Sequence, residues 1–227
     1  MNPKYMPNVF LAGAPKCGTT SLAYWLAEHP DCFLPSMKEP HAFGGFGVTS
    51  MEEYEALYKS VDLQPSIRID ASTGYFTNPV AIDEILGFNS SAKFIVMLRN
   101  PIELVQALHG ERLFWSQEVI ADLETAWFLQ DRRKQGYDVP SFCEDPSRLF
   151  YKEQALLGKA LAYLLEKAGT SNVHWLFMEN VRDNPRESYL SLLEFLNLND
   201  DGRIDFSPKN VAKVNRFPGA SRVVRQL

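Results

Sequence analysis

Gly13-Ala14-Pro15-Lys16-Cys17-Gly18-Thr19-Thr20-Ser21-Leu22 is the most informative stretch of this 227-residue chain. It follows a short apolar run, Asn8 to Ala12 (NVFLA), and leads into residues Leu22, Trp25, Leu26 and His29, which share one helical face. A strand, a glycine-bearing turn and a helix in that order put a helix N-terminus at the carboxyl end of a strand. Glycines let the backbone turn tightly and present successive N–H groups, and the helix dipole adds positive partial charge, so such a loop suits a phosphate or sulfate. Gly13 and Gly18 have the spacing of the Walker A loop, but the match stops there. That motif needs lysine directly after its second glycine, whereas position 19 is Thr and the loop's lysine is Lys16. The strand context, Lys16 and the hydroxyl run Thr19-Thr20-Ser21 favour an anion site over a generic glycine turn.

Three further runs of strand type lie downstream: Ser66 to Asp70 (SIRID), Lys93 to Leu98 (KFIVML) and Asn172 to Phe177 (NVHWLF). KFIVML is almost continuously apolar, as a strand covered on both faces must be. Helical stripes alternate with these runs, one formed by Leu157, Leu161, Leu164, Leu165 and Ala168, another by Tyr189, Leu192, Leu193 and Leu196. Alternating strands and helices predict an α/β protein with a parallel sheet. No repeat, low-complexity tract or linker interrupts the chain, so a single domain over residues 1–227 is expected. Gly136 to Arg148 and the tail after Asn197 read as irregular.

Composition narrows the function classes. Hydrophobic residues make up 45% and charged residues 22%, which excludes a disordered chain, and the net charge of −5 gives no general attraction to nucleic acid. Basic residues nevertheless gather at the end, in Arg203, Lys209, Lys213, Arg216, Arg222 and Arg225. No apolar run approaches the roughly 18 residues of a membrane span, and the first residues lack a basic segment leading into an apolar core. Cys17, Cys32 and Cys143 form no C-x-x-C pair, so neither a zinc site nor a disulfide framework is indicated. The expectation is a soluble, cytoplasmic protein without stable membrane insertion.

Two more motifs carry chemistry. Leu98-Arg99-Asn100-Pro101 closes the third run, and in parallel sheets ligands sit outside the carboxyl ends of strands. A P-loop kinase typically has an acidic residue at such a strand end to hold magnesium, so Arg99 suits a second anionic group instead. Pro101 fits the first turn of a helix. Lys38-Glu39-Pro40-His41-Ala42-Phe43 places a carboxylate, a lysine and an imidazole within four residues, enough for a general base and a stabilising cation.

Taken together, these motifs resemble the sulfotransferases that use 3′-phosphoadenosine 5′-phosphosulfate, of the bacterial and heparan-modifying type. The resemblance rests on a P-K-x-G-T-T/S core at Pro15 to Thr20, R-N-P at Arg99 to Pro101 and a K-E-x-H element at Lys38 to His41. Asp70-Ala71-Ser72-Thr73-Gly74-Tyr75 is similar to the family's E-x-S-P-x-Y segment, Trp175 to Leu196 to its late strand and final helix, and Val214 to Pro218 to its C-terminal cofactor loop. It implies a three-layer P-loop-like fold, a central parallel sheet flanked by helices. It also implies a cofactor held by Lys16, Cys17, Gly18, Thr19, Thr20, Ser21, Arg99 and Arg216, giving 3′,5′-adenosine bisphosphate as product. Glu39 would take the proton of an acceptor hydroxyl or amine on a small molecule, sugar or lipid. Lys16 would stabilise charge on the leaving phosphate, His41 orient Glu39 or meet the acceptor, and Lys38 steady the sulfuryl oxygens; no metal is required.

The chain departs from the pattern at Ala107, where the family has a serine for the 3′-phosphate, and at Thr73, where it has proline. His109 or the basic tail would have to replace the serine. Phe43, Phe46, Tyr75 and Phe76 suit either an acceptor mouth or plain core. Trp115, Trp127 and Trp175 read as structural. A magnesium-ATP kinase and a non-catalytic nucleotide-binding scaffold of the same fold are the rival readings.

Overall fold

The computed structural model describes residues 6–45, 50–59 and 65–209. Five strands form one wholly parallel sheet: β1 (Val9–Gly13), β2 (Cys32–Phe33), β3 (Ile67–Asp70), β4 (Lys93–Leu98) and β5 (Val173–Phe177), in the order β2-β3-β1-β4-β5. Four of them coincide with the apolar runs of the sequence. The fifth, β2, has two residues, too few to carry any alternation. The helices are α1 (Thr19–Ala27), α2 (Met51–Lys59), α3 (Pro79–Phe88), α4 (Pro101–Phe114), α5 (Leu123–Phe128), α6 (Gln130–Lys134), α7 (Tyr151–Gln154), α8 (Leu157–Ala168), α9 (Met178–Asp183) and α10 (Pro185–Leu196). The architecture is the expected three-layer one, a parallel sheet flanked by helices.

The described residues fall into two compact units, one of residues 6–99 and 157–209, the other of residues 100–156. The sheet belongs to the first. β1 is buried along its whole length and β4 at every residue but Lys93, which is why both read as unbroken apolar runs. In register with one another, Phe10 and Phe94 stack with ring centroids 5.7 Å apart. On α10 the whole predicted stripe, Tyr189, Leu192, Leu193 and Leu196, is buried, whereas on α8 only Leu157, Leu164 and Ala168 are.

Two features of this unit shape the loop after β1. The strand ends in a bulge: Leu11 pairs with Ile95 and Gly13 with Val96, leaving Ala12 over. The Ala14 amide then donates to Met97 O at 2.8 Å, so the chain leaves the sheet still tied to β4. In addition, the order of strands reverses here, since β2 and β3 lie on one side of β1 and β4 and β5 on the other. The carboxyl ends of β1 and β4 therefore flank the topological switch point, where open α/β sheets bind ligands.

The second unit holds α4 to α7. Asn100 caps α4 by accepting from the Ile102 amide at 2.9 Å, and Pro101 occupies its first turn, as the sequence predicts. A buried ion pair organises the unit. Arg133 meets Glu118 through two bonds of 2.6 and 2.8 Å, and Tyr151 donates to Glu118 at 3.0 Å. An apolar cavity of about 510 Å³ lies between α4 and α5, lined by Ile102, Val105, Leu123, Trp127 and Phe128.

Candidate functional site

Gly13 and Gly18 do different work in the loop between β1 and α1. Gly13 has φ of +147°, and a Cβ there would lie 2.5 Å from Thr73 O and 2.9 Å from Phe76 Cβ, so the backbone of residue 73 occupies the space a side chain would need. Gly18 caps α1 at φ +83°, and a Cβ there would meet only Met97 and Met178 at an ordinary 3.8 Å, so only its conformation calls for glycine. Lys16 also takes a positive φ, 63°, a left-handed conformation that costs a non-glycine residue some strain. Ser21 and Leu22 are the first amides to bond to Gly18 O, at 3.1 and 3.4 Å, so Gly18, Thr19 and Thr20 belong to the helix start, whose N–H groups precede the internal ladder.

Arg99, at the end of β4, joins this loop directly. Its Nη1 donates to Lys16 O at 3.0 Å, tying the two basic residues singled out from sequence together through the loop backbone. Two other loop residues have different duties. Cys17 is buried, and burial pushes its thiol up to about 12 despite the nearby charge of Arg99, so it is no thiolate at neutral pH. The Ser21 hydroxyl accepts from the Lys209 amide at 2.9 Å and donates to Lys209 O at 3.2 Å. It clamps the segment after α10 onto the first turn of α1. Trp25 Nε1, 3.4 Å from Ser207 O, and Phe206, packed edge-on against Trp25, extend the same clamp.

The second cluster centres on Glu39. Lys38 Nζ donates to its Oε1 at 2.6 Å, while His41 Nε2 lies 3.3 Å and Thr73 Oγ1 3.2 Å from Oε2. Burial alone would raise the pKa of this carboxyl, but the hydrogen bond with His41 and the charge of Lys38 bring it down to about 2. Glu39 is thus firmly ionised, and in this arrangement a weaker base than an ordinary glutamate. Thr73 connects the clusters: its hydroxyl reaches Glu39 while its carbonyl packs against Gly13.

The segment from Asp70 to Tyr75 supports the Glu39 segment bond by bond. The Ala71 amide donates to Lys38 O at 3.3 Å, the His41 amide to Ser72 Oγ at 3.1 Å and the Phe43 amide to the Tyr75 hydroxyl at 3.4 Å. Asp70, wholly buried, accepts from Tyr54, Tyr75 and twice from Ser72. The sequence reading missed the parts of Asp70, Ser72 and Thr73, although it marked their segment.

Other residues singled out from sequence find their places as well. Phe43, Tyr75 and Phe76 are core residues with at most 5% exposure, so they line no acceptor mouth; Phe46 lies outside the described residues. His109 is committed elsewhere, with Nε2 2.9 Å from Ile120 O and its ring against Tyr151. Trp115 and Trp175 are nearly half exposed. Arg216, like Lys213, Arg222 and Arg225, falls outside the described residues.

No protein-family model matches the chain. It is 33% identical over 101 residues to the membrane-associated sulfotransferase kil1 of Dictyostelium discoideum, an alignment covering 43% of this chain and 21% of that protein. Among solved structures, a sulfotransferase from Alicyclobacillus acidocaldarius superposes with a TM-score of 0.76 at 22% identity, over 96% of this chain and 90% of the other. The chain has the fold of the solved sulfotransferase and is similar in sequence to part of a curated one. Mouse sulfotransferase SULT7A1, solved in complex with PAP, superposes at a TM-score of 0.54 and 17% identity, over 86% of this chain and 60% of that one. The chain spans less than a quarter of the length of the curated relatives it matches. Among the described residues no helix is long and apolar enough to cross a membrane.

Proposed function

We propose that this chain transfers a sulfuryl group from 3′-phosphoadenosine 5′-phosphosulfate to a hydroxyl or amine of a small-molecule, carbohydrate or lipid acceptor. The observation that carries the proposal is Arg99 bonded to the Lys16 carbonyl, which ties a cationic strand end to the lysine-bearing loop and helix N-terminus at the switch point of a sulfotransferase fold. This donor set fits a cofactor with two separate anionic groups. Lys16 and the N–H groups of Gly18, Thr19 and Thr20 would hold the 5′-phosphosulfate, and Arg99 the 3′-phosphate. Binding of PAP by the mouse structural neighbour supports the same cofactor class. When bound, the cofactor supplies the sulfuryl group; the chain supplies charge and a base.

Lys16 would offset negative charge on the cofactor's phosphate. Glu39 accepts the acceptor's proton. While His41 and Lys38 hold the carboxylate it is weakly basic, and an acceptor that displaced both contacts would raise its basicity. Clamped in this way, the carboxylate stays ionised at neutral pH. The three cysteines are buried free thiols, which agrees with a reducing compartment, and we place the protein in the cytoplasm.

Calorimetric titration with 3′,5′-adenosine bisphosphate, beside magnesium-ATP and AMP, tests the cofactor. Tight binding of the bisphosphate with weak binding of the other two is the expected result. A preference for magnesium-ATP would overturn the proposal in favour of a kinase, and no binding of any of them would leave a scaffold.

A further inference from the structure

We propose that Asp70 is the positioning residue for the Glu39 segment, setting it through two hydroxyl relays that run by way of Ser72 and Tyr75. The inference rests on the functional reading above and adds to it a residue that touches neither cofactor nor acceptor.

The direction of the relays follows from what each group can do. Backbone amides only donate. The His41 amide gives its proton to Ser72 Oγ at 3.1 Å, and the Phe43 amide gives its own to the Tyr75 hydroxyl at 3.4 Å. Each hydroxyl has one proton left to place, and both place it on Asp70: Ser72 Oγ on Oδ1 at 2.6 Å, Tyr75 on Oδ2 at 3.1 Å. The Tyr54 hydroxyl and the Ser72 amide fill the remaining acceptor positions, at 2.7 and 2.9 Å. A carboxylate is the one side chain of this size that accepts on both oxygens and donates nowhere, and Asp70 is entirely shielded from water that might substitute.

The Ser72 relay ends on strained backbone. His41 has a φ of 49°, left-handed for a residue with a Cβ, and its amide is the atom that Ser72 holds. Strained backbone persists where surrounding bonds over-determine it. Holding His41 there keeps its imidazole on the Glu39 carboxylate, beside Lys38 and Thr73. Asp70 thus acts on Glu39 at two removes, through Ser72 and His41.

Each relay has its own variant: Ser72→Ala severs the link to His41, and Tyr75→Phe the link to Phe43. Asp70→Asn keeps the shape but turns one acceptor oxygen into a donor. The readout is the Glu39 carboxyl midpoint, followed by NMR on ¹³C-labelled protein, together with the affinity for 3′,5′-adenosine bisphosphate. With Ser72→Ala and Tyr75→Phe folded and binding the bisphosphate as the parent does, the Glu39 midpoint should climb from about 2 toward the ordinary 4.5. Ser72→Thr, which keeps the hydroxyl, should hold it lower than Ser72→Ala does. With an acceptor in hand, kcat should fall about tenfold or more while KM moves less. An unmoved midpoint in both single variants overturns the proposal. Failure of the parent to bind bisphosphate would instead strike the sulfuryl-transfer reading, and the midpoint would still decide the role of Asp70.

Discussion

Glycine at position 13 is fixed by a neighbour sixty residues away, glycine at 18 by its own backbone angles. The two should respond differently to the same substitution. Gly13→Ala forces a Cβ into Thr73 O at an unfavourable φ, and should cost about 2–4 kcal/mol in urea unfolding. Gly18→Ala meets nothing closer than 3.8 Å and should cost about 1 kcal/mol. Lys16→Ala, at the centre of the proposed chemistry, should lower turnover roughly a hundredfold. Acid stability reports on Glu39. Its carboxyl lies near 2 in the folded chain against an ordinary 4.5, so the stabilisation it contributes is complete above 4.5 and lost as pH falls toward 2. Glu39→Gln lacks that component. Its unfolding midpoint should vary less across this interval than that of the parent.

Among the elements, those visible in the sequence are the ones whose environment repeats along their length. β1 and β4 are covered on both faces and α10 on one, so composition and period alone reveal them. The start of α4 was legible because Asn100 and Pro101 act locally. The same signal stands at Asn78-Pro79, where Asn78 accepts from the Val80 amide at 3.0 Å and opens α3, and the sequence reading passed over it. β2 was out of reach, being a strand only because β3 pairs with it. At the candidate site, the glycine loop, Arg99 and Glu39 were legible, while the connection between them was not. Thr73 joins the two clusters through its carbonyl and hydroxyl, and no spacing rule brings residue 73 to residues 13 and 39. Between α4 and α7 the Glu118–Arg133 pair deserves a double-mutant cycle. Removing the guanidinium alone, in Arg133→Ala, should cost about 3–5 kcal/mol because it strands a buried carboxylate, whereas Glu118→Gln with Arg133→Met should cost less than the two single changes together.

At the scale of the whole molecule, ligand binding and folding meet in the middle of the sheet. If the bisphosphate binds at the carboxyl ends of β1 and β4, a concentration a hundred times its Kd adds about 2.7 kcal/mol to stability, a rise in melting temperature that differential scanning fluorimetry would resolve. The strand order has a second consequence, for biosynthesis. β1 is made first, yet its two neighbours are β3 and β4, and β4 begins only at Lys93. A nascent chain therefore carries the apolar strand Val9 to Ala12 with both edges open until β3 has been made, and with one edge still open until β4 follows. During that interval the segment is an adhesive edge in search of a partner, which makes the growing polypeptide a natural client for ribosome-associated chaperones.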